Sequence, residues 1–205
     1  MIVIVDYGLG NLFSVAKAFE MLGAAAKISS DPADIAQAER IVLPGVGAFG
    51  DGMAYLKAKG LDQALTTAVM SHKKPFFGIC LGMQFLADTG YEFGEHQGLG
   101  WVPGSVRKLE VESQGLKVPH IGWNAVAVTK ESPLWKGIKN ESDFYFLHSY
   151  QLVCDDPTLV AGTTVYGETI TAAITHDNIF ATQFHPEKSQ TNGLKLLENF
   201  IHWTP

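Results

Sequence analysis

Residues 75–84 read Pro-Phe-Phe-Gly-Ile-Cys-Leu-Gly-Met-Gln, an apolar run that leads into a Gly-x-Cys-x-Gly pattern. The run predicts a buried β-strand over Pro75–Ile79. Glycines at positions 78 and 82 predict a sharp turn from this strand into a helix, because such a turn leaves no room for a side chain on either side of Cys80. The pattern is a nucleophile elbow with cysteine in place of serine. We therefore expect Cys80 at a helix N-terminus, where free N–H groups favour the thiolate.

The sequence on both sides of this stretch predicts an α/β fold. The first 90 residues alternate short apolar runs with longer amphipathic ones, the pattern of strands and helices in a parallel sheet. After Gly94, short stretches rich in Val, Thr, Phe and Tyr predict antiparallel strands. We expect one domain over residues 1–205, with three layers, a mostly parallel central sheet and an antiparallel extension. The predicted strands are Ile2–Val5, Ala25–Ile28, Arg40–Leu43 and Pro75–Ile79, with further strands inside Val106–Val128 and Phe144–Phe184, and the predicted helices are Leu12–Leu22, one beginning at Ser30–Pro32, Leu61–Val69 and Gly193–Trp203.

The composition excludes several classes of protein. With 46% hydrophobic and only 18% charged residues, the chain is not intrinsically disordered. Its 15 basic and 21 acidic residues give a net charge of -6 without a basic run, which argues against nucleic-acid binding. No apolar stretch approaches the roughly 20 residues of a membrane-spanning helix, and the first residues lack the features of a signal peptide. We therefore expect a cytoplasmic protein without a membrane segment.

The two cysteines, Cys80 and Cys154, are too few for a disulfide framework, so each is considered as a thiol. The glycine-flanked elbow favours Cys80 as a nucleophile over the alternative of an inert buried cysteine. Cys154 has no such setting, and we expect it in the core.

A thiolate nucleophile needs a proton-transfer partner, and His185 is the strongest candidate among seven histidines. It alone has a carboxylate two residues away across a proline, in His185-Pro186-Glu187. Proline favours an extended backbone at His185, and in an extended segment residues i and i+2 point to the same side. Glu187 is therefore predicted to orient the imidazole. The alternative is a proline turn with a solvated glutamate.

A glycine-rich loop, Pro44–Gly50, follows another apolar strand. Because the C-terminal ends of neighbouring parallel strands line one crevice, this loop is predicted to face Cys80, and its N–H groups could form an oxyanion hole with the N–H of Leu81. A flexible surface loop is the alternative. The stretch Gly8–Phe13 imitates a dinucleotide fingerprint, but Phe13 occupies the third glycine position, which argues against a nucleotide site.

Taken together, residues 78–84, His185-Pro186-Glu187 and Pro44-Gly45-Val46-Gly47 resemble the triad-type (class I) glutamine amidotransferases. The resemblance implies the three-layer fold of that family, a Cys80–His185–Glu187 triad and an oxyanion hole formed by Val46 and Leu81. It also implies that glutamine is hydrolysed through a thioester. No metal is expected, because the histidines lack ligand spacing with Cys or acid clusters, and no other cofactor is expected. The residues that the resemblance assigns to substrate binding are Gly47, Gln84, Glu92, Ser149 and Tyr150.

Other stretches narrow the resemblance to amidotransferases that work with a partner. They are Asp6–Asn11, Met83 within the elbow, Pro119–Asn124 and Tyr145–Tyr150. These relatives deliver ammonia to a separate cyclase subunit, a (β/α)8 barrel of histidine biosynthesis. Asn11 and Trp123 are then expected at the partner interface.

Two other classes remain open on the sequence. A stand-alone cysteine hydrolase acting on esters or amides would use the same elbow and triad. A catalytically silent scaffold subunit is disfavoured by the intact Cys80, His185 and Glu187. The identity of the substrate and the release of ammonia separate these classes.

Overall fold

The computed structural model describes all residues, Met1–Pro205, and contains thirteen strands and six α-helices. The strands are β1 Ile2–Val5, β2 Ala26–Ser29, β3 Arg40–Gly45, β4 Phe76–Cys80, β5 Ala87–Gly90, β6 His96–Gln97, β7 Val102–Lys108, β8 His120–Val128, β9 Ser142–His148, β10 Tyr150–Cys154, β11 Val160–Tyr166, β12 Glu168–His176 and β13 Ile179–Thr182. The α-helices are α1 Leu12–Met21, α2 Pro32–Gln37, α3 Phe49–Ala58, α4 Leu61–Thr66, α5 Leu81–Gln84 and α6 Gln190–His202. A π-helical turn, Thr67–Ser71, continues α4, and 3-10 turns span Glu112–Gln114, Pro133–Trp135, Pro157–Leu159 and Pro186–Lys188.

Nine strands form the main sheet, in the order β2-β1-β3-β4-β13-β12-β11-β8-β9. The first five strands in this order are mutually parallel, and the remaining pairs are antiparallel. The predicted parallel sheet with an antiparallel extension is confirmed.

Alternate residues of the parallel strands supply two cores, one on each face of the main sheet. In β1, Val3 and Val5 belong to one core, and Ile2 and Ile4 belong to the other. Helices α2, α3 and α4 pack against the first face, whereas α1 and α6 pack against the second. Because helices cover both faces, the parallel strands read as continuous apolar runs rather than as alternating ones. None of the helices combines the length and the apolar composition needed to cross a membrane.

A second sheet, β10-β7-β5-β6, packs on the same face as α3 and was not predicted as a separate unit. Its strands β5 and β7 are parallel, although 11 residues separate Gly90 from Val102 in the chain. The sheet brings β10 beside the elbow, so it forms one wall of the site described below.

Two predicted helices need correction. The helix after Cys80 is a single turn, Leu81–Gln84, and the chain enters β5 at Ala87. Helix α6 begins at Gln190 rather than at Gly193. Gly193 lies inside the helix, where a side chain would overlap the Pro186 carbonyl, so this glycine has a packing role and does not mark the start of the helix.

Helix α3, Phe49–Ala58, was missed because its glycines predict a loop. Gly52 of this helix has a packing role, since a Cβ there would overlap the Phe85 ring. The small size of Gly52 lets α3 pack closely against the core beneath the elbow.

Candidate active site

The strand register brings the predicted site residues to one edge of the main sheet. Gly45 of β3 pairs with Cys80 of β4, and Thr182 of β13 pairs with Ile79. The loop after β3, the elbow after β4 and the segment leading to His185 therefore leave the sheet side by side. Crevices at the C-terminal ends of parallel strands are the usual ligand sites of such sheets.

The elbow has the tight geometry that its glycines predict. Cys80 has φ 53° and ψ -108°, a conformation that residues with a side chain rarely adopt. A Cβ at Gly82 would overlap the backbone carbonyl of Leu43, and one at Gly78 would lie 2.9 Å from the Gly82 carbonyl oxygen. Gly82 therefore allows the close approach of the elbow to β3, and Gly78 allows the tight turn within the elbow itself.

We expect Gly82→Ala to destabilise the protein by about 3 kcal/mol or more, because a backbone carbonyl cannot move aside as a flexible side chain can. Gly60→Ala is the matched control, since nothing lies within 4 Å of its Cβ position. Its left-handed backbone alone should cost about 1 kcal/mol. Urea unfolding measures both values, and equal losses of stability in the two variants would contradict this account.

His185 and Glu187 form a buried pair next to the elbow. His185 Nδ1 donates to Glu187 Oε1 over 2.9 Å, and the two side chains are only 2% and 1% exposed. Glu187 lies on the 3-10 turn Pro186–Lys188 rather than in an extended segment, so the predicted pairing occurs by a different local geometry. Ser189 Oγ donates to the His185 carbonyl over 2.6 Å, which fixes the backbone of the pair.

The charges of Cys80 and Glu187 determine the protonation of His185. Burial alone would lower the pKa of His185, but the Cys80 thiolate and the Glu187 carboxylate outweigh burial and raise that pKa well above its ordinary value. Because Nδ1 donates to the carboxylate, the nitrogen that remains for chemistry is Nε2, which is buried without a hydrogen-bond partner. The histidine is thus arranged to hold a proton near the Cys80 sulfur.

A cavity of about 400 Å³ opens beside Cys80 and contains most of the residues that the sequence resemblance assigns to the site. Its walls include all seven predicted oxyanion and substrate-binding residues, which are Val46, Gly47, Leu81, Gln84, Glu92, Ser149 and Tyr150. His185 and Glu187 are not part of this lining. The cavity is therefore the candidate substrate pocket.

Gln84 is held by two hydrogen bonds within the protein. Its Nε2 donates to the Tyr150 carbonyl over 2.9 Å and to Gln183 Oε1 over 3.1 Å. Both amide hydrogens are therefore used, and only the Gln84 side-chain oxygen remains for a ligand. Gln84 suits a ligand ammonium better than a ligand carboxylate.

Glu92 is not simply a solvated loop carboxylate, which was the alternative to its predicted role. Its Oε2 accepts the backbone N–H of Phe49 over 2.8 Å, at the beginning of α3. This contact fixes the carboxylate at the wall of the cavity and complements the positive end of the helix.

A second histidine, His148, lines the cavity but has both ring nitrogens engaged. Its Nδ1 donates to the Tyr150 carbonyl over 2.9 Å, so its Nε2 accepts from His120 Nδ1 over 3.0 Å. Burial lowers the pKa of His148 to about 3 and that of His120 to about 4. Both imidazoles are therefore neutral near pH 7, and His148 positions the Tyr150 backbone rather than acting as a base.

The two predicted interface residues lie away from the cavity lining. Trp123 on β8 is 48% exposed and packs edge-on against Tyr145, with ring centroids 6.0 Å apart. Asn11 precedes α1, and its side chain makes no capping hydrogen bond. Their role at an interface stays a prediction.

Cys154 lies on β10 and is half-buried rather than part of the core. Burial, together with Asp155 and Asp156, raises the pKa of its thiol to about 12. Cys154 is therefore protonated at neutral pH and poorly suited to nucleophilic attack. No group of three or more His, Cys, Asp or Glu side chains forms a metal-binding cluster.

Gln183 was not predicted as a site residue, yet its side-chain Nε2 lies 3.5 Å from the Cys80 sulfur. A signal was present, because Gln183 stands two residues before His185 at the end of a strand, where i and i+2 face the same side. His148 was also missed, because its place depends on the long-range pairing of β8 with β9.

Comparison with known proteins identifies the family of this chain. The family model for class-I glutamine amidotransferases matches residues 3–203. Imidazole glycerol phosphate synthase subunit HisH of Campylobacter jejuni (strain RM1221) is 51% identical over 201 residues, covering 98% of this chain and 99% of its own. The HisH subunit of Syntrophotalea carbinolica is 50% identical over 204 residues, covering 98% of both chains.

The fold also matches solved structures. PurLQS from Thermotoga maritima superposes with a TM-score of 0.77 over 98% of this chain and 97% of that one, at 18% sequence identity. This likeness concerns the fold alone, whereas the family model and the relatives near 50% identity establish kinship over almost the whole chain. The chain therefore belongs to the class-I glutamine amidotransferase family, and within it to the family of the HisH subunits of imidazole glycerol phosphate synthase.

Proposed function

We propose that this chain is the glutaminase subunit of an imidazole glycerol phosphate synthase, which hydrolyses glutamine to glutamate and ammonia. The observation that carries the proposal is the Cys80 elbow, which meets the buried His185–Glu187 pair on one side and the 400 Å³ cavity on the other. The family match over residues 3–203 supports treating residues 1–205 as one catalytic domain. A cytoplasmic location stays a prediction.

In the first half of the reaction, the Cys80 thiolate attacks the side-chain amide carbon of glutamine. The N–H groups of Val46 and Leu81 hold the developing oxyanion. Collapse of the tetrahedral intermediate breaks the C–N bond, and the leaving nitrogen takes a proton from His185. Ammonia departs, and a glutamyl thioester remains on Cys80.

In the second half, His185 takes a proton from a water molecule that attacks the thioester. Collapse breaks the C–S bond and returns the electron pair to the sulfur as thiolate. The new carboxylic acid loses its proton to solvent, so glutamate leaves and His185 remains as the imidazolium. Glu187 keeps Nδ1 protonated throughout, which leaves Nε2 to carry the moving proton.

The walls of the cavity supply partners for both charged groups of the glutamine α-carbon. Glu92 and the free side-chain oxygen of Gln84 are acceptors for the α-ammonium group. For the α-carboxylate we propose backbone N–H groups of Gly47, Ser149 and Tyr150. Glutamine is then bound by its amino-acid head, with its side-chain amide towards Cys80.

The proposed partner is a cyclase subunit with a (β/α)8 barrel that forms a heterodimer with this chain. It uses the ammonia to make imidazole glycerol phosphate and an aminoimidazole carboxamide ribotide in histidine biosynthesis. Ammonia released into water is largely protonated and loses its nucleophilicity, so a closed path between the subunits is chemically reasonable. We propose docking on the crevice side, through a face that includes Asn11 and Trp123.

Glutamate release from glutamine, measured with the purified cyclase present, tests this function directly. We expect stoichiometric formation of glutamate and imidazole glycerol phosphate. A stand-alone cysteine hydrolase would instead turn over ester or amide substrates without glutamine preference and without any effect of the cyclase. That outcome would refute the proposed function.

We expect the isolated chain to hydrolyse glutamine slowly and the complex with cyclase and its substrate analogue to hydrolyse it at least about tenfold faster, the scale of ordinary coupling free energies. Glycines on both sides of Val46 allow its peptide to turn, so the oxyanion donor can be aligned on docking. Steady-state glutaminase rates of the two samples measure the effect. Equal rates in the two samples would contradict activation of this chain by the cyclase.

Trp123→Ala tests the docking face within the same experiment. Tyr55→Ala is the matched control, because Tyr55 is an aromatic residue on α3 with nearly the same exposure, 49% against 48%. Weaker cyclase binding or weaker coupling is expected for Trp123→Ala only. Unchanged affinity and coupling in Trp123→Ala would argue against this docking face.

A further inference from the structure

We propose that Gln183 is a further catalytic residue, whose side-chain N–H stabilises the Cys80 thiolate. The inference deepens the proposed glutaminase function and rests on Cys80 being its nucleophile. The supporting observations are the position of Gln183 against the sulfur, the fixed orientation of its amide, and the different groups that face the thiol and the thiolate.

Gln183 follows β13 and is fully buried, with its Nε2 3.5 Å from Cys80 Sγ. Its backbone N–H donates to the Ala172 carbonyl over 2.9 Å, so the residue is anchored to β12. A buried amide is costly unless it is hydrogen-bonded, and a glutamine placed against a sulfur needs a reason other than packing. Donation to a charged sulfur provides one.

The orientation of the Gln183 amide follows from its neighbours. Gln84 Nε2 lies 2.9 Å from the Tyr150 carbonyl, which can only accept, so this end of Gln84 is the NH2 group. The same NH2 donates to Gln183 Oε1 over 3.1 Å. The other end of the Gln183 amide is therefore its NH2 group, and it is the end that faces Cys80.

The sulfur lies between a donor and an acceptor. Cys80 Sγ is 3.8 Å from the Leu147 carbonyl, which can accept the proton of a neutral thiol. Gln183 can donate to the sulfur in either state, but a hydrogen bond to a charged acceptor is roughly twice as strong as one to a neutral acceptor. The Gln183 amide thus favours the thiolate, whereas the Leu147 carbonyl favours the thiol.

This donor acts at two stages of the reaction. It raises the thiolate population before attack on glutamine, and it receives the sulfur when the C–S bond of the thioester breaks and the electron pair returns to Cys80. The same stabilisation makes the thiolate somewhat less nucleophilic.

The test uses iodoacetamide alkylation of Cys80 as a function of pH, in a Cys154→Ala background so that only one thiol reacts. Gln183→Met removes the donor and keeps the length of the side chain. We expect the midpoint of the alkylation profile to move up by about one pH unit, the value for loss of one charge-assisted hydrogen bond.

Thr182→Val is the matched control. Thr182 is the neighbouring, fully buried residue of β13, and its Oγ1 donates to the Phe184 carbonyl over 2.9 Å. The valine variant loses a buried hydrogen bond beside Gln183 without removing a contact to the sulfur. Its alkylation midpoint should match the parent, with circular dichroism confirming the fold of every variant.

An unchanged midpoint in Gln183→Met overturns the proposal, and so does an equal shift in Thr182→Val, which would indicate general loosening of the strand. If Gln183→Met does not fold, Gln183→Glu decides, since its carboxylate should move the midpoint up further and no upward shift would refute the role. Alkylation needs no glutamine. A shifted midpoint without glutaminase activity would therefore count against the proposed function alone, and normal turnover without a shift would count against Gln183 alone.

Discussion

Cys80→Ala is expected to abolish glutamine hydrolysis, by about 10⁶-fold as for other triad nucleophiles, because no other group is placed to form the thioester. The small alanine side chain occupies the same elbow, so the fold and any partner binding should persist. Glutamate release measures the first effect, and thermal unfolding and co-purification with the cyclase measure the others.

Cys154→Ala is the matched control and should keep most of the activity. A glutamine-analogue alkylator should label Cys80 and leave Cys154 unmodified, since the Cys154 thiol stays protonated at neutral pH. Mass spectrometry that located the label on Cys154 would overturn the assignment of the nucleophile.

His185→Ala should lower turnover more than Glu187→Gln does, because His185 transfers the proton whereas Glu187 only orients the ring. Loss of an orienting carboxylate can still be severe, about 10⁴-fold in a serine triad. The single hydrogen bond between the two residues, 2.9 Å long, joins side chains that are both buried, so water cannot take the place of the carboxylate. Steady-state turnover of both variants at saturating glutamine measures this order.

Near-normal turnover in His185→Ala would transfer the role to another histidine, with His148 and His176 as the candidates. His148 is a poor base in this structure because both of its nitrogens are already hydrogen-bonded. His176→Ala, at the end of β12, serves as the control and should retain activity.

The parts of the fold that could be predicted are those determined by local sequence. Apolar runs such as Ile2–Val5 identify strands, and a glycine before and after Cys80 identifies the elbow, because both signals lie within a few residues. The strand ends then meet at one edge by a general property of parallel sheets. For this reason the candidate site could be predicted without knowing the strand order.

The parts that could not be predicted depend on partners far away in the chain. The second sheet requires β5 and β7 to pair in parallel. Helix α3 contains Gly52, which predicts a loop but is needed because a side chain there would overlap the Phe85 ring. His148 acquires its role from His120, which faces it only because of the register between β8 and β9. Local patterns contain no information on these long-range contacts.

The positive φ of Cys80 lowers the stability of the protein at the position that its activity requires. A residue with a side chain held in such a conformation costs about 1–3 kcal/mol, a sizeable part of the roughly 5–15 kcal/mol by which a domain is stable. Glycine would relieve that strain and remove the nucleophile at the same time. Selection for stability alone would therefore favour glycine at position 80 and give an inactive protein. Selection for catalytic activity is what retains the strained cysteine.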